Sequence, residues 1–382
     1  MSVYLDSNAT TPIDPEVMEV ALTYMRDEFG NAGSRTHDYG VRAKRAVDRA
    51  RRQVAEVAAA RPEEVLFTSG ATESNNLALL GVARAAGPSK RHILSAGTEH
   101  KAVLEPLEQL EKEGFEVELL PVDERGWVQP EALGRALRED TLLVSLMHVN
   151  NETGVVQPID EYAGVLEGHD AYFHADSAQG FGKDLERPRN PRIDLLSISG
   201  HKLFAPKGIG ALIARRRGRT AIPMQPLTYG GGQERGLRAG TQPVHLIAAL
   251  GKAVKLAAEH HDHRRAHCDR LRQELAAALE GSPAVVNGDP ERLLGNCMNV
   301  SFLGTDTEAL MLSLKGVAAF SNGSACTSLS YDPSHVLQAM GLDDARLESG
   351  ARLSWSHLTP DFDWTQVTAA AERLCIPPTP RP

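Results

Sequence analysis

The sequence predicts an α/β protein in which a large domain, built on a mostly parallel sheet flanked by helices, joins a smaller α+β domain. Three observations carry that expectation. Short apolar, β-branched runs alternate with longer segments of helical periodicity, the pattern of strands each followed by a covering helix. Near residue 245 the character changes to a long helical stretch followed by short strands and helices. The chain has 382 residues, 42% apolar and 24% charged, which is enough to bury two cores.

Taken in order, residues up to about Asp14 form an arm before the first helix, expected to pack with the second domain. Val65-Leu66-Phe67 reads as a strand, running through Thr68-Ser69-Gly70-Ala71-Thr72-Glu73 into a helix over Asn75 to Leu80. His92 to Ser95 is the next strand, followed by a helix with Val103, Leu107 and Leu110 on one face and then a strand from Val117 to Leu120. Thr141 to Met147, Ala171 to His174 and Leu195 to Ser199 are further strands, with Ile209 to Ala214 linked to the last as a hairpin. One long helical stretch is expected from Val244 to Leu279, then short strands at Asn299 to Phe302, Ala318 to Phe320 and Ala351 to Ser354. These boundaries divide the chain into a large domain over 14–255 and a small domain made of 1–13 and 256–382.

Composition narrows the function. Lys plus Arg number 41 against 50 Asp plus Glu, a net charge of −9, which argues against a partner of nucleic acid or anionic membrane. No run approaches the ~20 apolar residues of a membrane span, and the N-terminus lacks the basic and apolar regions of a signal peptide. Cys268, Cys297, Cys326 and Cys375 stand far apart with no CxxC pair, which fits a reducing compartment. The expected location is therefore cytoplasmic.

Four segments carry chemistry, each where a strand runs into a loop, the place where open α/β sheets bind ligands. Lys202, in Ser199-Gly200-His201-Lys202, is either a turn lysine or an amine crowded enough to react with a carbonyl. Asp176 ends the strand before it and either caps a helix or faces a basic ring nitrogen. The small and hydroxyl residues of Thr68-Ser69-Gly70-Ala71-Thr72 would offer backbone N–H groups to a phosphate at a helix start. Cys326 lies in Ser321-Asn322-Gly323-Ser324-Ala325-Cys326-Thr327-Ser328, a run without apolar periodicity, which favours a reactive thiol over a core cysteine. A lysine for an imine, an acid for a pyridine nitrogen and a phosphate cradle are together what pyridoxal 5'-phosphate requires.

The same residues closely resemble the pyridoxal-phosphate-dependent cysteine desulfurases of the nitrogen-fixation and housekeeping iron–sulfur type, in class V of the aminotransferases and fold-type I. The likeness runs from Tyr4-Leu5-Asp6-Ser7-Asn8-Ala9-Thr10-Thr11-Pro12 through Thr98-Glu99-His100, Asn150-Asn151-Glu152-Thr153-Gly154 and Arg238-Ala239-Gly240-Thr241 to about Leu374. It implies that Lys202 carries the cofactor and moves protons, that Asp176 pairs with the ring nitrogen, and that His100 stacks on the ring as an acid and base. Gln179 would bond the phenolic oxygen, with Asn151 near that oxygen and the substrate carboxylate. Ala71, Thr72, Ser199 and His201 would hold the phosphate, and Thr241 would reach it from the other subunit of a homodimer. Arg352 would bind the substrate carboxylate as a fork.

The implied sulfurtransferase reaction converts L-cysteine to L-alanine, leaving sulfur as a persulfide on Cys326. That sulfur then passes to an acceptor protein, an iron–sulfur scaffold or a tRNA thiolation enzyme. The long spacing from Cys326 to Arg352 matches members that deliver sulfur to scaffolds. The chain ends within a few residues of Ile376-Pro377-Pro378, short of the tail through which housekeeping members dock scaffolds, so the resemblance implies either that scaffold docking is lost or that it uses another surface. Leu353-Ser354-Trp355-Ser356-His357-Leu358-Thr359 also departs from the usual pattern. A selenocysteine lyase or aminotransferase of the same class, and a non-catalytic sulfur relay, are the rival readings. Cys326 weighs against a transaminase, and the intact Lys202, Asp176 and His100 weigh against a relay. His260, His261, His263 and His267 read as a solvated helix face rather than a metal site, and Arg215-Arg216-Arg217 with Arg219 as a solvated turn.

Overall fold

The computed structural model describes residues 2–322 and 333–376. Along them run β1 (Val3–Tyr4), α1 (Pro15–Arg26), α2 (Asp38–Val57), β2 (Val65–Thr68), α3 (Ala71–Ala85), β3 (His92–Ala96), α4 (Lys101–Lys112), β4 (Glu116–Leu120), α5 (Pro130–Ala136), β5 (Thr141–Ser145), α6 (Ile159–Val165), β6 (Tyr172–Asp176), β7 (Leu195–Ser199) and β8 (Gly210–Ala214). There follow α7 (Val244–Glu259), α8 (His261–Leu279), β9 (Ala284–Asn287), β10 (Cys297–Phe302), α9 (Thr307–Ser313), β11 (Ala318–Ala319), α10 (His335–Ala339), α11 (Asp344–Glu348), β12 (Gly350–Ser354) and α12 (Thr365–Leu374).

Seven strands form the main sheet in the order β2-β8-β7-β6-β5-β3-β4. β3, β4, β5, β6 and β7 pair in parallel, and β8 runs antiparallel to both its neighbours. Both faces of this sheet are covered, and the period-2 side-chain alternation of a strand distributes residues between them. Leu94, Val144, Leu196 and Ile213 enter one core with α1, α2 and α7. Their neighbours Ile93, Leu143, Leu195 and Leu212 enter the other with α3 and α4. A separate core gathers Leu271, Leu275, Val300, Leu353 and Trp355 around the antiparallel sheet β12-β10-β9.

The arm joins the two parts. β1 pairs in parallel with β11, and Leu5 is fully buried in the second core. Beyond it, Ser7 N–H donates to the Ser354 carbonyl at 3.1 Å, and Thr11 N–H to the His201 carbonyl at 3.1 Å. The first helix then starts as its sequence dictates: Asp14 accepts from Glu16 N–H, and Pro15 fills a first-turn position that needs no donor.

Two expectations are corrected. The stretch from Val244 to Leu279 is not one helix but two, broken at His260 (φ −109°, ψ 13°). The cause is burial: α7 packs into the large-sheet core through Ile247, Leu250 and Val254, whereas α8 sends Leu271, Leu275 and Leu279 into the other core. The arginine cluster is a solvated turn only in part: Arg216, Arg217 and Arg219 are exposed, but Arg215 is not. Arg215 is buried and donates to the carbonyls of Ile193, Ala58 and Pro188, while Arg217 pairs with Asp194 at 2.8 Å and lies over the Tyr172 ring. Arginine fits there because its planar fork satisfies several carbonyls at once.

Candidate active site

The carboxyl ends of β2, β3, β5, β6 and β7 face one edge of the sheet, and the loops leaving them enclose a cleft of about 520 Å³. At its edge Gly210 lets β8 approach the loop before α3, since a Cβ there would lie 2.4 Å from the Ile198 carbonyl oxygen and 2.6 Å from Gly70 Cα. Gly70 itself has φ +156° and open space where a Cβ would sit, so the N-terminus of α3 faces the cleft unobstructed. Ala71 and Thr72 open that helix and line the cleft, as do Ser199 at the end of β7 and His201 just after it. First-turn N–H groups have no intrahelical acceptors, so this corner suits an anion.

Asp176 closes β6, 5% exposed and doubly bonded: Oδ2 accepts from Asn75 Nδ2 at 2.7 Å and Oδ1 from Ala178 N–H at 2.9 Å. Its alternative role as a helix cap is not what the structure has, because a turn follows β6. Lys202 reaches across the loop after β7, its Nζ donating to the carbonyls of Asn8 and, at 2.7 Å, Ala9. Gln179 Nε2 donates to the same Asn8 carbonyl at 2.9 Å. His201 meets Thr10 Oγ1 at 3.1 Å, and its ring is pushed down to about 4 by burial and then by the charges of Lys202, Lys207 and Lys183. It is therefore neutral at pH 7, able to donate one hydrogen bond and accept another.

His100 caps α4, its Nδ1 accepting the Ala102 N–H at 3.0 Å. That bond assigns the neutral ring's proton to Nε2, so His100 meets the cleft as a donor first. Its neighbour Glu99 is fully buried, accepts from Met147 N–H at 2.6 Å, and is held well above the usual carboxylate range by burial. Glu152, beside Asn151, is likewise raised by burial and bonds Ser334, while His335 Nε2 donates to the Glu99 carbonyl at 2.9 Å. The segment starting α10, through Ser334 and His335, is thus fastened to the two segments that carry His100 and Asn151.

Arg352, 2% exposed, is ion-paired with Asp6 at 2.8 Å and donates to the Asn151 carbonyl at 3.2 Å. Among the described residues its Nε, with Asn151 Oδ1 and Asn75 Oδ1, is a buried polar atom without a hydrogen-bond partner. Three such atoms around one cleft are costly unless a ligand satisfies them.

Of the residues singled out in the sequence, Ala71, Thr72, His100, Asn151, Asp176, Gln179, Ser199, His201, Lys202 and Arg352 all line this cleft. Thr241 is exposed and is not part of its lining, and Cys326 lies outside the described residues. Missed were Asn75, whose signal was its place one turn into the α3 helix behind Ala71 and Thr72, and Asp6 and Asn8. The last two gave no local signal, because their partners lie far along the chain. The donor set fits pyridoxal phosphate: an anion corner, a carboxylate for a ring nitrogen, an amine for a carbonyl carbon, and orphaned polar atoms for the remaining substituents.

Comparison with known proteins places this arrangement. The aminotransferase class-V family matches residues 3–360, and the chain belongs to that family. A mitochondrial cysteine desulfurase of Eremothecium gossypii is 46% identical over 369 residues, covering 96% of this chain and 75% of its own. The cysteine desulfurase IscS of Vibrio campbellii is 44% identical, over 98% of this chain and 94% of its own. Among solved structures, a NifS-like protein superposes with a TM-score of 0.88 at 35% identity, covering 98% of each chain. DndA from Streptomyces lividans does so at 0.81 and 47% identity, over 92% of this chain and 99% of its own. Within class V, then, the chain is a member of the cysteine desulfurase group, with the fold of the NifS-like enzymes.

Proposed function

We propose that this chain is a pyridoxal-phosphate-dependent cysteine desulfurase that takes sulfur from L-cysteine as a persulfide on Cys326 and releases L-alanine. The observation that carries the proposal is the single cleft in which Lys202, Asp176, His100 and Arg352 converge at the anion corner of α3. A solved relative, SspA, carries cysteine in its structure, in keeping with that substrate.

Asp176, fixed by Asn75 and Ala178, would keep the cofactor's ring nitrogen protonated. Ala71, Thr72, Ser199 and His201 would hold its phosphate, Gln179 would face its phenolic oxygen, and Lys202 would be its covalent anchor. When bound, the cofactor supplies an electron sink that makes the substrate's Cα–H bond, and then its Cβ–S bond, labile. The chain's residues do the rest. Arg352 orients the substrate carboxylate, with Asn151 beside it. Lys202, once displaced from its anchoring role, carries the α-proton. His100 donates from Nε2 and recovers a proton afterwards. The Cys326 thiolate forms an S–S bond to the substrate sulfur as the Cβ–S bond breaks, and its electron pair ends in a C–H bond of alanine. A free thiol ionises at about 8.5, so a neighbouring base must take the Cys326 proton, in contrast to half-buried Cys268 and buried Cys297, which desolvation pushes up to about 12.

The working enzyme is proposed to be a cytoplasmic homodimer in which Thr241 completes the partner's phosphate site. An iron–sulfur scaffold or tRNA thiolation enzyme is the proposed sulfur acceptor. The test incubates wild type and Cys326→Ala with L-cysteine, with and without a thiol reductant, and measures alanine and sulfide. Both products from the wild type, lost in the variant while bound cofactor remains, is the expected result. Equal release by the variant removes Cys326 from the reaction.

A further inference from the structure

Behind the cleft, beyond the wall made by Ser7 to Thr11, lies a second cavity of about 60 Å³, bordered by Lys183, Cys268, Leu203 and Trp355. Two arginines on its border have acidic partners: Arg264 pairs with Asp14 at 3.2 Å and Arg265 with Asp269 at 3.5 Å. Lys183 pairs with no carboxylate among the described residues. Even the adjacent Asp184 turns away, to His148 at 3.1 Å and Arg187 at 2.7 Å. The Lys183 ammonium donates instead to Gln179 Oε1 at 3.3 Å. Partial burial pushes it down to about 8.

The backbone aims it there. Gly180 and Gly182 pass so close to their surroundings that a Cβ would lie 2.1 Å from His148 Nδ1 or 2.6 Å from Leu203 Cδ2. His148 spans the turn from Ser177 to Asp184, and His261 Nε2 donates to the Lys183 carbonyl at 3.1 Å. The segment between Gln179 and Lys183 is therefore pinned on both sides. A side-chain amide is ambiguous in orientation unless its neighbours are unlike. Here they are: Lys183 can only donate and the Asn8 carbonyl can only accept.

We infer that Lys183, from the cavity behind the cleft, is a positioning residue that locks the Gln179 amide with its carbonyl turned away from the cofactor and its NH₂ turned toward it. The ion–dipole contact also polarises that amide, strengthening its N–H groups as donors. This inference rests on the proposed pyridoxal phosphate site. A lysine that served only to fill space behind the cleft would matter for folding and not for the cofactor.

The test is a double-mutant cycle on the reconstituted protein, combining Lys183→Met with Gln179→Ala. It reads equilibrium pyridoxal phosphate binding and the position of the bound cofactor's visible absorption maximum, with melting temperature followed in parallel. Lys183→Met is expected to weaken binding by about tenfold, the size of one hydrogen bond to a charged group, and to move the absorption maximum. Both effects should vanish in the Gln179→Ala background, and Lys183→Arg, which keeps a donor, should restore the maximum. Equal effects of Lys183→Met in the two backgrounds, or an unmoved maximum with only a lowered melting temperature, overturn the inference. Should Lys183→Met not fold, Lys183→Leu carries the same comparison. Failure of the wild type itself to bind the cofactor is a separate result, and it removes the site reading together with the inference.

Discussion

Removing the carboxylate of Asp6 should cost stability that a substrate-like carboxylate can return. Arg352 is 2% exposed and its listener across 2.8 Å is Asp6, whose side chain is 20% exposed. Deleting one partner of a buried pair leaves the other charge uncompensated, a loss of about 3–5 kcal/mol. Water reaches Asp6, so Asp6→Ala belongs at the low end, about 3 kcal/mol. If Arg352 binds the substrate carboxylate, L-alanine places an anion against a guanidinium that has just lost its own. Ligand stabilisation follows RT ln(1 + [L]/Kd), about 2.7 kcal/mol at 100 times the dissociation constant. At one fixed alanine concentration the variant should therefore gain more than the wild type. Urea unfolding of both holoproteins, with and without alanine, measures this. Asp6→Ala and Arg352→Ala should also be strongly non-additive. A loss below about 1 kcal/mol, or an equal gain from alanine in both proteins, refutes the reasoning.

Two further outcomes follow from the buried hydrogen bonds. Asn75→Ala removes the 2.7 Å bond to Asp176 and should cost about 1.5–3 kcal/mol in urea unfolding, with weaker retention of pyridoxal phosphate on dialysis. His174, enclosed by Ser145 and Ser197, has its ring pushed down to about 4 by burial. Between its ordinary value of 6.5 and 4 the unfolded chain binds the proton that the folded chain refuses, so stability falls as pH drops through that window. His174→Gln should flatten that fall by about 1 kcal/mol per pH unit, measured as unfolding free energy from pH 7 to 4.

The sequence made the fold legible wherever a local pattern set the structure. The β-branched runs marked each strand of the main sheet, and the carboxyl ends of those strands with the segments after them held nine of the ten cleft-lining site residues, Arg352 on β12 being the tenth. What it hid was long-range. Nothing near Asp6 says that its partner is Arg352, and nothing near Asn8 says that its carbonyl collects both Gln179 and Lys202. The helical period from Val244 to Leu279 runs on past His260 because periodicity registers that a face is buried, not which core buries it. Arg215 looked like a solvated turn because a cluster of charges is polar by composition, and only the carbonyls of Ala58, Pro188 and Ile193 make it an interior strut.

The hidden contacts share a logic. Residues 6 to 11 touch one end of the cleft through Asp6 to Arg352, and the other through Asn8, Ala9, Thr10 and Thr11 to Lys202 and His201. The same short segment is tied to β12 by Ser7 and Asn8 and to the second core by Leu5. Ordering each of those backbone residues costs about 1–2 kcal/mol, so the segment stays in place only while both ends are bonded. Arg352 and Lys202 are thereby referenced to one piece of chain. Because Asp6 holds Arg352 of the antiparallel sheet while the Asn8 and Ala9 carbonyls hold Lys202 beside the main sheet, a displacement of either sheet acts on the same few residues of the arm.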